Sequence, residues 1–195
     1  MTLGSNKGRL CLAAALCAWS MLLSGCVPLV VGAAAGGAAL VATDRRSVGA
    51  QADDEAIELK IANNRSNRYG DRVHVNVTSY NGIVLLTGEV PDEATRREIV
   101  EMVRTTDRVR AVHDELEVRP NTPMSERTND TYLTGLVKSR FVEQNRFPAT
   151  QVKVVTERGV VYLMGIVSRA EGDAAAQIAS TTSGVRRVVK LFEYI

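Results

Sequence analysis

The sequence predicts an α+β fold made of two tandem units, each with the element order α-β-β-α-β. In each unit, two helices are expected on one face of a three-stranded mixed sheet. The main observation is a repeated phrase, NGIVLLTGEV from Asn81 and RGVVYLMGIV from Arg158. Alternating apolar residues precede each phrase, and a helical spacing of apolar residues precedes the alternation. A repeat with this order of patterns indicates a duplicated structural unit.

Each unit is expected to begin with a helix that is capped by an aspartate. Asp54 and Asp130 come just before apolar residues at i, i+4 spacing. An aspartate carboxylate suits this position because it accepts hydrogen bonds from the free N–H groups at a helix start. The apolar residues are Ile57 and Ile61 in the first unit, and Leu133 and Val137 in the second.

Alternating valines followed by a tight turn predict a β-hairpin in each unit. The turns fall at Asn81-Gly82 and Arg158-Gly159, of which Asn-Gly is the stronger hairpin signal. The second strand ends at Gly88 or Gly165, where the missing side chain indicates a close approach of another backbone. The alternating valines are Val73, Val75 and Val77 in the first unit, and Val152 and Val154 in the second.

A second helix is expected to start near Pro91-Asp92 in the first unit and at Ser168 in the second, where Glu171 completes a capping box. A closing strand follows, over residues 112–118 or 188–195. The residues expected on the buried face of this helix are Ile99, Met102 and Val103 in the first unit, and Ala175, Ile178 and Ala179 in the second.

The N-terminal residues are typical of a targeting segment. Lys7 and Arg9 precede an apolar stretch, residues 10–23, that is too short for a transmembrane helix of roughly 20 residues. The stretch leads into LSGC, ending at Cys26, which resembles a bacterial lipobox. That resemblance implies cleavage before Cys26, diacylation of its sulfur and acylation of the new amino group. Val27 follows in place of the aspartate that often retains lipoproteins in the inner membrane, which favours the outer membrane. The alternative is an ordinary signal peptide with an incidental cysteine.

These patterns divide the chain into five segments. Each repeated unit is near the lower size limit for an independent core, so the two units are expected to pack together. The segments are a signal peptide at 1–25, the lipidated cysteine with a flexible Gly/Ala-rich tether at 26–52, the first unit at 53–119, a linker at 120–128 and the second unit at 129–195.

Both units resemble the BON domain, named for its occurrence in bacterial periplasmic and outer-membrane proteins. The strand-turn-strand that ends in glycine carries the resemblance, and it occurs twice. The lipobox, the Gly/Ala-rich tether and the sequence DRRSVGAQADD before the first unit extend it over nearly the whole chain. The combination resembles the dual-domain outer-membrane lipoproteins associated with envelope stress and cell division. One departure is Arg108, where the second unit has Gly184 and the domain commonly has glycine.

The resemblance implies a non-enzymatic protein that binds anionic phospholipid, such as phosphatidylglycerol or cardiolipin. It further implies a role in the permeability barrier of the outer membrane. The acylated Cys26 would hold the chain on the periplasmic face, with enrichment at the division site as a further expectation. An alternative of a different class is a protein-interaction adaptor for envelope assembly or division machinery, with incidental lipid contact.

The sequence lacks the residue patterns that catalysis requires. The chain has two histidines, His74 and His113, and their equivalents in the second unit are Gln151 and Val189, so the repeat carries no repeated chemistry. His74 alternates with valines and is expected to point away from the face that they bury. No catalytic residue, cofactor or metal site is expected, and no glycine-rich phosphate-binding motif is present. Nucleic-acid binding is not expected either, because the basic residues lack an aromatic platform.

The two units differ in charge. Residues 53–119 carry 14 acidic and 10 basic side chains, whereas residues 120–195 carry 7 acidic and 10 basic ones. Opposite net charges indicate different partners for the two units.

The first helix of the second unit is the predicted phospholipid-binding element. Tyr132 and Leu136 widen its apolar stripe, at positions where the first unit has Ala56 and Lys60. An aromatic ring and long basic side chains suit the headgroup region of a bilayer. In the alternative interpretation, Tyr132 and Leu136 pack against the first unit. The residues assigned to phospholipid binding are Tyr132, Leu136, Val137, Lys138 and Arg140.

Overall fold

The computed structural model describes residues 44–121 and 123–195 as two repeats of the order α-β-β-α-β. The first repeat consists of α1 (Val48–Tyr69), β1 (His74–Tyr80), β2 (Ile83–Val90), α2 (Glu93–Arg104) and β3 (Ala111–Val118). The second repeat consists of α3 (Met124–Gln144), β4 (Lys153–Glu157), β5 (Val160–Val167), α4 (Arg169–Ser180) and β6 (Arg187–Tyr194). The predicted signal peptide, the lipidated Cys26 and most of the predicted tether lie outside the described residues.

Each repeat forms its own three-stranded mixed sheet. The middle strand, β2 or β5, pairs antiparallel with the strand before it and parallel with the closing strand. A parallel neighbour needs a crossover connection, and the helices α2 and α4 provide it. The predicted α+β fold is therefore confirmed.

The hairpin turns have the geometry that their sequences predict. Both central residues of each turn have positive φ, at 52° and 74° for Asn81 and Gly82 and at 50° and 72° for Arg158 and Gly159. Positive φ at both positions is the requirement of a type I′ turn, whose twist matches that of the flanking strands.

Two glycines permit the close backbone approach that the sequence predicts. A Cβ atom on Gly88 would lie 2.0 Å from the carbonyl oxygen of His74, and one on Gly165 would lie 2.4 Å from that of Gln151. No side chain fits at either position. The turn before the closing strand also keeps one shape in both repeats, since Arg108 adopts a φ of 68° where Gly184 has 91°.

In each repeat, both helices pack on one face of the sheet and form the core. The expected helix residues are buried, with Met102 partly so, and Val84 and Leu86 of β2 meet them from the sheet. Complete burial of an apolar side chain of this size contributes about 1.5–3 kcal/mol. The second helices begin as predicted, with Asp92 accepting from Thr95 N–H and a complete capping box between Ser168 and Glu171.

The opposite faces of the two sheets pack against each other. Leu85, which alternates with Val84 and Leu86, joins Tyr80 of the first repeat and Tyr162 and Met164 of the second in one buried cluster. Since both faces of the middle strands are covered, their sequences are continuously apolar rather than alternating. The expectation that the two units pack together is confirmed.

The first helix of each repeat begins earlier than the sequence pattern predicts. Ser47 is the N-cap of α1, accepting from Ala50 N–H, so the end of the predicted tether is helical. Helix α3 begins at Met124, within the predicted linker. The interpretation of Asp54 and Asp130 as N-caps is therefore wrong. The additional turns are exposed or only partly buried and contribute no residue to the core, so no apolar periodicity marks them in the sequence.

Candidate functional site

Helix α3 buries one side and exposes apolar residues on the other. Leu133, Val137 and Phe141 face the core at i, i+4 spacing. On the opposite side, Tyr132 is 65% exposed and Val142 is 68% exposed. Leu136 lies between these two residues in sequence, one turn after Tyr132, and is partly buried. We call Tyr132, Leu136 and Val142 the apolar face of α3.

The exposure of Tyr132 contradicts the interpretation in which this residue packs against the first repeat. A tyrosine that packed against the first repeat would be buried, whereas Tyr132 lies open to solvent. At the equivalent places in α1 the first repeat carries the small Ala56 and also Lys60, whose ammonium group lies 3.0 Å from the Asp107 carboxylate. The exposed aromatic is thus a property of the second repeat.

Val137 was predicted to bind phospholipid, but its position in the structure does not allow it. Its side chain is 0% exposed and lies in the core cluster with Phe141 and Leu163. A residue in this position cannot contact a lipid while the domain is folded. The assignment failed because Val137 directly follows Leu136 in sequence, and adjacent helical residues point about 100° apart.

Arg140 is held by the protein rather than presented to solvent. Its guanidinium donates to the carbonyl oxygen of Ile178 at 3.1 Å and to the hydroxyl of Thr182 at 2.7 Å. These groups lie at the end of α4, where a cation interacts favourably with the helix dipole. Lys138, in contrast, is exposed and has no hydrogen-bond or ion-pair partner among the residues that the structure describes. Of the two predicted cations, Lys138 is the one free to meet an anionic ligand.

Val142 is an exposed residue of the apolar face that the sequence comparison missed. It lies ten positions after Tyr132, and at about 100° per residue its side chain projects about 80° around the helix from that of Tyr132. The equivalent position in α1 is Ser66. Extending the comparison of the two helices by one further turn would have found it.

Asp54 and Asp130 hold the hairpin turns in place. Asp54 accepts from the backbone N–H groups of Asn81 at 2.7 Å and Gly82 at 2.8 Å, and from the Ser79 hydroxyl at 2.6 Å. Burial by itself raises the pKa of Asp54, but these hydrogen bonds outweigh it and keep the pKa below its usual value. Asp130 accepts from the N–H groups of Arg158 and Gly159 in the same way.

Polar contacts surround the apolar interface between the repeats and occur in equivalent pairs. The amide of Asn81 donates to Glu193 at 2.6 Å. The same contact recurs with the repeats exchanged, where Arg158 of the second repeat forms an ion pair with Glu117 of the first. Such reciprocal contacts are those of a two-fold interface between copies of one unit, here within a single chain.

One corner of the interface gathers ionisable groups that are not equivalent between the repeats. His74 Nδ1 lies 2.8 Å from Glu89 Oε2, and the amide of Asn76 donates to Glu157 Oε2 at 2.9 Å. Ligand atoms of His74, Glu89 and Glu157 all lie within 4.8 Å of one another. Burial raises the pKa of Glu157. His74 points away from the core, as predicted, and its ring faces the interface between the repeats, where it lies beside Glu89 and Glu157.

The segment before α1 connects the two repeats. The guanidinium of Arg45 donates to both carboxylate oxygens of Glu171, at 2.7 and 2.8 Å, and to the carbonyl oxygen of Ile166 at 2.9 Å. Arg46 pairs with Asp54 at 2.8 Å and stacks over the Tyr80 ring, 4.0 Å from its centroid. Arg45 and Arg46 are the second and third residues of DRRSVGAQADD, the sequence before the first unit that takes part in the resemblance.

Two repeats of this topology, packed through their sheets, define a tandem BON-domain protein. The BON domain family matches residues 53–120 and 129–195, so the chain belongs to this family. It is 40% identical over 178 residues to the outer membrane lipoprotein DolP of Haemophilus influenzae, with 90% of this chain and 92% of the relative covered. This similarity supports grouping the chain with the dual BON-domain outer-membrane lipoproteins.

Two further relatives match over somewhat shorter stretches. The 21 kDa hemolysin of Actinobacillus pleuropneumoniae is 33% identical over 154 residues, covering 78% of this chain and 79% of the relative. Osmotically-inducible protein Y of Escherichia coli strain K12 is 31% identical over 152 residues, covering 76% of each. Within residues 44–121 and 123–195, no helix has the length and apolarity needed to cross a membrane.

Proposed function

We propose that this chain is a non-enzymatic lipoprotein of the outer membrane that binds anionic phospholipid through its second repeat and supports membrane integrity. Acylated Cys26 would attach it to the periplasmic face. The observation that carries the proposal is the apolar face of α3, where Tyr132 and Val142 are exposed on a helix that also presents Lys138. The relative that is named an outer membrane lipoprotein supports the location.

The chemistry of this face suits the boundary between headgroups and acyl chains. A tyrosine ring places an apolar body in the acyl region and its hydroxyl at headgroup level. Leu136 and Val142 lie on either side of Tyr132 around the helix and add apolar area next to it. A lysine close to an anionic surface contributes on the order of 1 kcal/mol. The contact is small, and tethering through Cys26 would raise its effective concentration at the membrane.

A vesicle-binding experiment tests the proposal on a chain that starts at Asp44, because acyl chains would insert into any bilayer. We expect sedimentation with vesicles of phosphatidylglycerol or cardiolipin, and much less with phosphatidylcholine. Replacing both Tyr132→Ser and Leu136→Ser removes apolar contact area and is expected to weaken binding about tenfold. The circular dichroism spectrum should not change, since Tyr132 lies outside the core.

Leu59 provides a matched control. It is 64% exposed on α1, nearly the same as Tyr132 on α3, but it belongs to the first repeat. Leu59→Ser should therefore leave vesicle binding unchanged. Equal binding by the double variant and the wild type would contradict the proposal. Absence of any vesicle binding would favour the adaptor function instead. Enrichment at the division site stays a prediction, which fluorescence microscopy of the same variants would examine.

A further inference from the structure

The corner formed by His74, Glu89 and Glu157 contains the types of group that bind transition metals. One ring nitrogen of His74 and one carboxylate oxygen from each glutamate all lie within 4.8 Å of one another. Glu89 is 0% exposed and Glu157 is 8% exposed. Buried carboxylates in proteins are paired with other groups or coordinate metals. One imidazole and two carboxylates form a mixed nitrogen and oxygen ligand set.

The three residues come from different places in the chain. His74 begins β1, Glu89 is its direct partner in β2, and Glu157 ends β4 of the second repeat. Because the two sheets pack face to face, the end of β4 lies beside the start of β1. A metal held by all three side chains would therefore join the repeats at their interface.

We propose that His74, Glu89 and Glu157 form a zinc site that joins the two repeats. A tetrahedral zinc with ligands at 2.0–2.2 Å places neighbouring ligand atoms about 3.3 Å apart. The ligand atoms present already approach this spacing, and glutamate side chains can rotate to close the remainder. The imidazole ligand favours zinc over magnesium or calcium, which prefer all-oxygen sites.

The surroundings of the site meet two further requirements. Asn76 donates to Oε2 of Glu157 at 2.9 Å, which orients that carboxylate as outer hydrogen bonds do in metal sites. A cleft of about 370 Å³ reaches His74 and Glu157 from solvent and provides an entry path. Arg127 and Asp130 also line this cleft, so the approaching cation meets charges of both signs.

The site is specific to one corner of the pseudo-symmetric interface. In the second repeat, Gln151 corresponds to His74 and Ile166 to Glu89. In the first repeat, Tyr80 corresponds to Glu157. The opposite corner therefore lacks the imidazole and both carboxylates. Comparing the two repeats in sequence could not identify this site, because its members do not occupy equivalent positions.

Zinc titration of the full mature chain in detergent micelles, by isothermal titration calorimetry, tests the proposal. We expect one zinc per chain and a higher midpoint of thermal unfolding when zinc is bound, because zinc binds the joined repeats only. Loss of one ligand in His74→Gln or Glu157→Gln should weaken zinc binding roughly 100-fold. Glutamine is tolerable at position 74 because the second repeat has Gln151 there, and circular dichroism would verify folding.

His113 provides the matched control, since it is the other histidine of the chain and lies on β3. His113→Gln should retain wild-type zinc affinity and stoichiometry, and excess magnesium or calcium should not displace the zinc. The proposal is overturned if the wild type does not bind zinc, or if His74→Gln and Glu157→Gln bind it as tightly as the wild type. It is also overturned if His113→Gln loses as much affinity, or if calcium displaces zinc.

Discussion

At the scale of single residues, Asp54 stabilises more of the fold than its position on a polar helix suggests. It is 3% exposed and joins α1 to the turn between β1 and β2 through hydrogen bonds with Ser79, Asn81 and Gly82. The turn residues direct their N–H groups inward, and a buried N–H group without an acceptor is costly. Asp130 repeats the arrangement, so this carboxylate is a feature of the repeat itself.

Replacement of Asp54 by alanine leaves the turn N–H groups without their acceptor and removes one of the two carboxylates that pair with Arg46, the other being Asp44. We expect Asp54→Ala to lower the free energy of unfolding by about 3 kcal/mol, since charge-assisted buried hydrogen bonds are lost together. Urea denaturation measures the change. The neighbouring Asp53 forms only a surface ion pair with Arg108, so Asp53→Ala should cost less than about 1 kcal/mol. Equal effects of the two substitutions would contradict this role of Asp54.

At the scale of elements, the segment before α1 links the first repeat to the second through the contact between Arg45 and Glu171. Glu171 also completes the capping box of α4, accepting from Ser168 N–H at 2.7 Å. The hydrogen bond from Arg45, opposed by burial and aided by Ser168, lowers the pKa of Glu171 to about 2 from 4.5. One carboxylate therefore stabilises both a helix start and a contact between distant parts of the chain.

The depressed pKa of Glu171 predicts a pH-dependent contribution to stability. A carboxyl with a lower pKa in the folded state stabilises the fold above its unfolded value, here 4.5, and loses this effect as the pH falls towards about 2. Glu171→Gln should therefore destabilise the protein at neutral pH. The difference from wild type should shrink steadily between about pH 5 and pH 2. Urea denaturation at several pH values measures this difference, and a constant difference would contradict the assignment.

At the scale of the whole molecule, the interface between the sheets makes the two repeats one body. Leu85 is 1% exposed and Met164 is 0% exposed, and both belong to the cluster shared by the repeats. Each repeat alone would expose this second sheet face to water. The interface thus supplies burial that a unit of this size lacks. The apolar face of α3, proposed above to bind lipid, lies outside this cluster.

A double-mutant cycle measures the contact between the sheets. Leu85→Ala and Met164→Ala remove side chains from the same cluster, so their effects should be non-additive by about 1 kcal/mol. Leu86 provides the control, because it is the next residue of β2 but faces the helices of the first repeat. The pair Leu86→Ala and Met164→Ala should be additive within about 0.5 kcal/mol. Equal coupling in both cycles would show that the sheets do not pack as described.

Much of each repeat could be predicted because its signals are local. The turns at Asn81-Gly82 and Arg158-Gly159 depend on neighbouring residues, as does the capping box at Ser168. The site was predicted only in part. Tyr132 is exposed as expected, whereas Val137 is in the core and Arg140 binds the end of α4. The apolar spacing shows which side of a helix is apolar, but it does not show what each residue at the edge of that side contacts.

The sequence by itself determined the duplication, the order of elements and the hairpin turns, because periodicity and turn chemistry act between near neighbours. Tertiary structure alone decided that Asp54 serves a turn rather than a helix start. It also decided that the sheets meet face to face and bring Glu157 to His74 and Glu89. These contacts join residues far apart in the chain and at non-equivalent positions of the repeats, so no local pattern records them.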